Sequence, residues 1–201
     1  MMRIMPVAVL TLFAANTFAA GPSAPAACQG TVVNVNGVVS STPANPTDSD
    51  DLAGCAEAVA LGGFGPDHAQ LPLTCLRIDV SGTVKASGHS VLTNVPLSGG
   101  GNTPFCLPDG TRGCDPTLTA GLQGFTSQAV LTGRVNGNKY HGKVYTKDTG
   151  YITPDGFVGQ ILLVVGGTGD FAGATGRVGV AGQEVGGSAS YTGHICIAPK
   201  P

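Results

Sequence analysis

The residues best suited to chemistry lie on segments whose side chains alternate in character. In Thr74 to Val84 (TCLRIDVSGTV), Arg77 and Asp79 stand two apart. On a strand that spacing puts both on one face, where a guanidinium and a carboxyl lining a cavity can hold and protonate a ligand. On a solvent-facing strand the same pair is an ordinary ion pair worth under about 1 kcal/mol, and that reading is favoured for it. His194 shares a face with Ser190, Thr192 and Cys196, with Tyr191 opposite. It is a candidate general acid or base, although a lone strand histidine is more often a structural donor. Tyr145, beside Lys143, is a candidate for proton transfer at a cavity mouth. It lies in the region densest in rings, Tyr140, His141, Tyr145 and Tyr151, which cross-strand packing explains equally well. The candidate catalytic groups are therefore Arg77, Asp79, Tyr145 and His194, and the candidate ligand contacts are Arg134, Tyr140 and Tyr191.

Other chemistries find less support. His68, His89, His141 and His194 sit on separate segments and no C-x-x-C pair occurs, so no metal is expected. Asp48, Asp50 and Asp51 lack the glycine and distal glutamate of a calcium loop, and helix capping accounts for them. Glu184 and Asp170 read as isolated acids in turns, which gives a paired-carboxylate mechanism no footing. The glycine-rich stretch Gly166 to Val178 (GGTGDFAGATGRV) has no lysine and hydroxyl after its last glycine, as a phosphate loop needs. The residues after it are too rich in Gly and Val for the helix of a dinucleotide site, and G-x-S-x-G is absent throughout. No cofactor is expected.

What must position these residues is a set of short strands. Glycine contributes 32 of 201 residues, with frequent Val, Thr and Ser, which argues for an all-β chain with tight turns. Strands are expected over Thr31 to Ser40, broken at Asn36-Gly37, and over Thr74 to Val84, with Leu76, Ile78 and Val80 on one face. More follow over Gln128 to Val135, Lys139 to Thr146, Phe157 to Val165, Ala174 to Val180 and Ser188 to Ile197. Turns fall at Asn136-Gly137, Pro154-Asp155-Gly156, Gly166-Gly167 and Gly186-Gly187. The helical window is Asp50 to Leu61, capped by Ser49 or Asp50 and lying against a barrel mouth. Four hydroxyl-glycine-x-aliphatic units, at Ser81, Thr132, Thr175 and Thr192, put a glycine bend inside a strand and so suggest closure into a barrel. Gly166 to Val178 then reads as a hairpin corner with Phe171 plugging the core.

Residues 1–19 read as a signal peptide: Arg3 supplies a positive start, Pro6 to Phe18 an acid-free apolar stretch, and Thr17-Phe18-Ala19 a cleavage site. Residues 20–30 form a mobile start and residues 31–201 a single barrel domain, secreted or periplasmic. The six cysteines then read as three disulfides, with Cys106–Cys114 the best-placed local bridge in a loop insert and the other four open as to pairing. Cys28 lacks the leucine-led box of a lipoprotein, and no apolar run suggests a membrane anchor. With 11% charged residues and a net charge of -2, the chain offers no basic patch for nucleic acid.

The segment Gly167-Thr168-Gly169-Asp170-Phe171-Ala172-Gly173-Ala174-Thr175-Gly176-Arg177-Val178 resembles the G-G-T-G-x-[FY]-x-G-A-x-G signature of the allene oxide cyclase and dirigent barrel superfamily. The resemblance is specific over residues 158–180 and plausible over 74–197. It implies an eight-stranded antiparallel barrel, dimeric or trimeric, whose apolar cavity takes a small organic molecule for cofactor-free lyase, isomerase or cyclase chemistry, or for stereocontrol. The cavity residues of the plant enzymes find no counterparts here, so their reaction does not transfer. The alternative is a non-catalytic barrel, a lipocalin-like carrier or a structural oligomerising module.

Overall fold

The structure is a computed structural model that describes residues 28–62, 74–96, 123–153 and 155–200. Eight strands run antiparallel in chain order and close into a barrel, with the last paired to the first. They are β1 (Thr31–Pro43), β2 (Thr74–Gly82), β3 (Val84–Pro96), β4 (Gln123–Val135), β5 (Tyr140–Ile152), β6 (Val158–Gly167), β7 (Thr175–Gly182) and β8 (Ala189–Ile197), with an α-helix, α1 (Ser49–Ala60), between β1 and β2. Among the described strands, closure leaves no open sheet edge for another chain to extend.

Strand alternation builds the interior. On β2, Leu76 and Ile78 are buried while Arg77 and Asp79 are exposed, as period two requires. The main core runs through Val33, Val35, Leu131, Val144, Val164, Val178 and Ile195, among others. One end is stoppered by Phe171, fully buried in a short 3-10 turn, Gly169–Phe171, so the glycine-rich stretch is the expected hairpin corner. The glycines let strands approach closely. A Cβ on Gly193 would lie 2.2 Å from the Arg177 carbonyl oxygen across the β7–β8 ladder.

Several elements depart from the sequence expectation. β1 runs through Asn36-Gly37 without breaking; Gly37 takes a φ of 156° and the ladder to β8 continues on both sides. The strand β3 has no counterpart among the expected strands, and β4 begins five residues earlier and β5 ends six later than their patterns suggest. α1 is capped by Asp48, whose side chain accepts from the backbone N–H groups of Asp50 and Asp51, rather than by Ser49 or Asp50. It lies on the outer wall over β2, β3 and β4, not at a mouth, because its apolar residues, Ala58 above all, meet Val91 and Val130 on the outward face of β3 and β4.

Two disulfides staple this arrangement. Cys55–Cys75 joins α1 to β2, and Cys28–Cys196 joins the segment before β1 to β8. Cys106 and Cys114, the proposed signal peptide and His68 lie outside the described residues. Among the described residues no helix is long and apolar enough to cross a membrane.

Candidate functional site

The site is built from the inward face of β5. Alternation sends Val144, Thr146, Asp148 and Ile152 into the barrel and Lys147 and Thr149 outward. Asp148 is therefore enclosed by its strand register. Its partner across the β4 ladder is Ser127. The Ser127 hydroxyl donates to Asp148 Oδ2 at 3.1 Å, and the Thr146 hydroxyl donates to the same oxygen at 3.2 Å. The other oxygen, Oδ1, is buried without a hydrogen-bond partner among the described residues. Burial pushes the Asp148 carboxyl up to about 7; the two hydroxyls oppose the rise and the nearby Glu184 carboxylate adds to it.

Glu184 reaches the same region from the β7–β8 connection. It is 6% exposed. Ser41 of β1 holds that connection in place by donating its backbone N–H to the Glu184 carbonyl at 3.0 Å. Gln160 of β6 donates its side-chain amide to Glu184 Oε2 at 2.7 Å. Gly150 makes room for that glutamine, since a Cβ there would lie 2.6 Å from the Gln160 Cβ. Burial pushes the Glu184 carboxyl up to about 7, with the Gln160 bond opposing.

These groups form a polar belt in an apolar tube. Ser41, Ser90, Ser127, Thr146, Asp148, Gln160 and Glu184 all line one cavity of about 100 Å³, whose remaining walls are mostly aliphatic. Beyond the belt, Phe125, Ile152, Val158 and Val185 form a separate apolar cluster at the barrel end. At the opposite end, the Val84 backbone N–H donates to the Tyr191 hydroxyl at 3.1 Å, and burial raises the Tyr191 pKa. Of the described residues that line the cavity, Arg134, Asp148, Glu184 and Tyr191 can carry charge, and Arg134 and Tyr191 lie toward the Val84–Val135 end.

The residues singled out from the sequence go elsewhere for the most part. Arg77 points outward and clasps α1: its Nε and an Nη atom lie 3.0 and 2.8 Å from Asp51 Oδ1. His89 Nε2 meets the same oxygen at 2.7 Å, and these contacts with the Asn45 N–H hold the Asp51 carboxyl down at about 2, the histidine bond contributing most. Asp79 and His194 are exposed on the outer wall. Tyr145 packs beneath α1 beside Val91 and Val130. The four catalytic candidates thus neither meet one another nor line the cavity, because each occupies an outward register position. Tyr140 is partly buried against the main core with Lys139 Nζ 5.2 Å from its ring centroid. Arg134 borders the cavity though mostly exposed, and Tyr191 stands inside it.

Comparison with solved structures finds a similar chain. It is a protein with unknown function from the DUF3224 family of Shewanella oneidensis MR-1, matched over 85% of this chain and 100% of that one at TM-score 0.46 and 16% identity. No family profile matches the chain, and no curated protein does.

The acids that the barrel brings together, Asp148 and Glu184, were the ones the sequence hid. Asp148 lies two residues beyond the expected strand Lys139 to Thr146, and Glu184 reads as an isolated acid in a turn. A signal was present for Asp148: Val144, Thr146, Asp148, Gly150 and Ile152 continue the period of two without a break. Asp170, the other supposedly isolated acid, is paired outside with Lys200 at 2.7 Å and His141 at 3.2 Å. Among the described residues no group of three or more His, Cys, Asp or Glu is placed to hold a metal.

Proposed function

We propose that the barrel binds one small, largely apolar organic ligand in its cavity and that Asp148 and Glu184 are the polar groups that orient it. The observation that carries this reading is Asp148 Oδ1, a buried oxygen without a partner among the described residues, in the polar belt of a mostly aliphatic chamber. A few convergent polar groups in an apolar concavity are the usual make-up of a ligand site. A cavity of about 150 Å³ accommodates benzene, so about 100 Å³ suits a ligand of roughly four heavy atoms. Two carboxyls titrating near neutrality are well matched to proton transfer there, which supports cofactor-free lyase or isomerase chemistry. Kinship with the allene oxide cyclase and dirigent barrels is part of the proposal and is supported by the Gly167 to Val178 signature and the eight-strand closure. A secreted or periplasmic setting is supported by the leader pattern and the disulfides. An outward row on β6 with Ile161, Leu163 and Val165 37–49% exposed supports a homodimer or trimer.

A second reading is favoured by the cavity volume itself, which lies below the roughly 300 Å³ of ordinary ligand sites. An eight-stranded barrel can be filled by its own side chains and act as a structural or oligomerising module. Native mass spectrometry of protein purified from its own host, with xenon-dependent NMR shifts on the ligand-free protein, separates the two. A co-purifying small molecule, or xenon shifts on Leu162, Val164 and Val180, supports the ligand site. A bare mass together with an interior that excludes xenon supports the filled barrel.

A further inference from the structure

We infer that the ligand is a cation, a short primary alkylammonium whose nitrogen sits against Asp148 and Glu184 and whose alkyl chain lies along the aliphatic wall. This rests on the ligand-site reading above and names its substrate class. At Asp148 the donors within reach all converge on one oxygen. The Ser127 and Thr146 hydroxyl protons are both spent on Asp148 Oδ2, and one of the two Gln160 amide protons on Glu184 Oε2. Asp148 Oδ1 is left as an acceptor with nothing to accept from among the described residues. A primary ammonium brings three donors, no acceptor and a positive charge, which complements an unpartnered carboxyl oxygen beside a second acid; an alcohol lacks the charge, and a carboxylate is repelled.

Charge leads to the same class. Asp148 and Glu184 come from different segments, feel one another's charge, and are both at least nine-tenths buried. The ion pairs found among the described residues go to Asp51, Glu57 and Asp170, all outside the barrel, so none serves this pair. Arg134, the cation that borders the cavity, lies toward the other end. Buried carboxylates without a counter-charge are costly, and a ligand that supplies one recovers that cost while its alkyl part fills aliphatic space. n-Propylammonium, with four heavy atoms, matches a chamber of about 100 Å³.

The test uses the full-length protein with n-propylammonium, 1-propanol, propionate and xenon as probes, followed by calorimetry and by methyl NMR shifts, in wild type, Asp148→Asn and Glu184→Gln. Xenon reports on the chamber alone and should enter all three proteins equally. At pH 8, n-propylammonium should bind wild type at least about tenfold more tightly than 1-propanol, propionate should not bind, and the preference should disappear in Asp148→Asn. At pH 5, where both acids are protonated, the amine's advantage should be lost. Equal affinity for the amine and the alcohol, or an unchanged amine affinity in Asp148→Asn, overturns the cationic assignment while leaving the ligand site standing. Exclusion of xenon and of every other probe overturns the ligand site itself.

Discussion

Replacing Asp148 with Asn should make the barrel more stable at pH 8, and by a margin about 2–3 kcal/mol smaller at pH 5. The side chain is 8% exposed, and its carboxyl is pushed from 3.8 to about 7, chiefly by burial. An acid whose pKa is raised on folding binds more protons in the native than in the unfolded chain between those two values. Stability is therefore fully present below about pH 4 and is lost as pH rises toward and through 7. With 1.36 kcal/mol for each unit, the displacement from 3.8 to about 7 corresponds to roughly 4 kcal/mol lost by pH 8. Asparagine keeps an acceptor for Ser127 and Thr146 and resembles the protonated acid, but it has no charge to bury. Glu184, raised to about 7 by the same cause, should contribute in the same sense. Arg134 and Tyr191, the other ionisable groups on the cavity wall among the described residues, lie toward its far end. The assay is urea denaturation of oxidised wild type and Asp148→Asn at pH 5 and pH 8, read as the difference between the two proteins at each pH. That comparison removes contributions common to both, including Asp51, whose depressed pKa of about 2 acts with the opposite sign and at lower pH. A difference that does not change by at least about 2 kcal/mol between the two pH values would refute the buried-acid argument.

Two further outcomes follow from packing and connectivity. Phe171→Ala should cost about 3–5 kcal/mol in denaturant midpoint analysis, since the ring is fully buried as the end plug; a loss under about 1 kcal/mol would mean the end collapses around the void. Removing Cys28–Cys196 should destabilise more than removing Cys55–Cys75, about 5 against about 3 kcal/mol on loop entropy, because the bridges span 168 and 20 residues; thermal denaturation of the two double-serine variants checks the order, and its reversal would point to native-state strain or residual structure in the unfolded chain.

The sequence made the barrel legible where one face is apolar and the other faces water. β2, β7 and β8 follow that rule, and their limits were read nearly in full. β3 escaped because its two faces are inverted in character. The inward positions carry Ala86, Gly88 and Ser90 beside Leu92, while Val91 faces outward under α1, so no clean alternation of apolar and polar marks it. The expected strand ends at Thr146 while β5 runs on to Ile152, because the polar and glycine-bearing Lys147-Asp148-Thr149-Gly150 interrupts the apolar alternation, and Asp148 lies in that hidden stretch. Arg77 and Asp79 drew attention because their spacing is visible in one dimension. Asp148 and Glu184 are 36 positions apart, and their meeting depends on ring closure that no local pattern encodes.

The Cys28–Cys196 bridge has a mechanical consequence. It joins the two ends of the folded chain across the seam where β8 meets β1. A tug on the termini is therefore carried by a covalent shortcut and bypasses the hydrogen-bonded ladders. While the bridge is oxidised, the β1–β8 seam is spared that load; once it is reduced, the seam itself bears the strain, and the barrel unzips from β1 and β8.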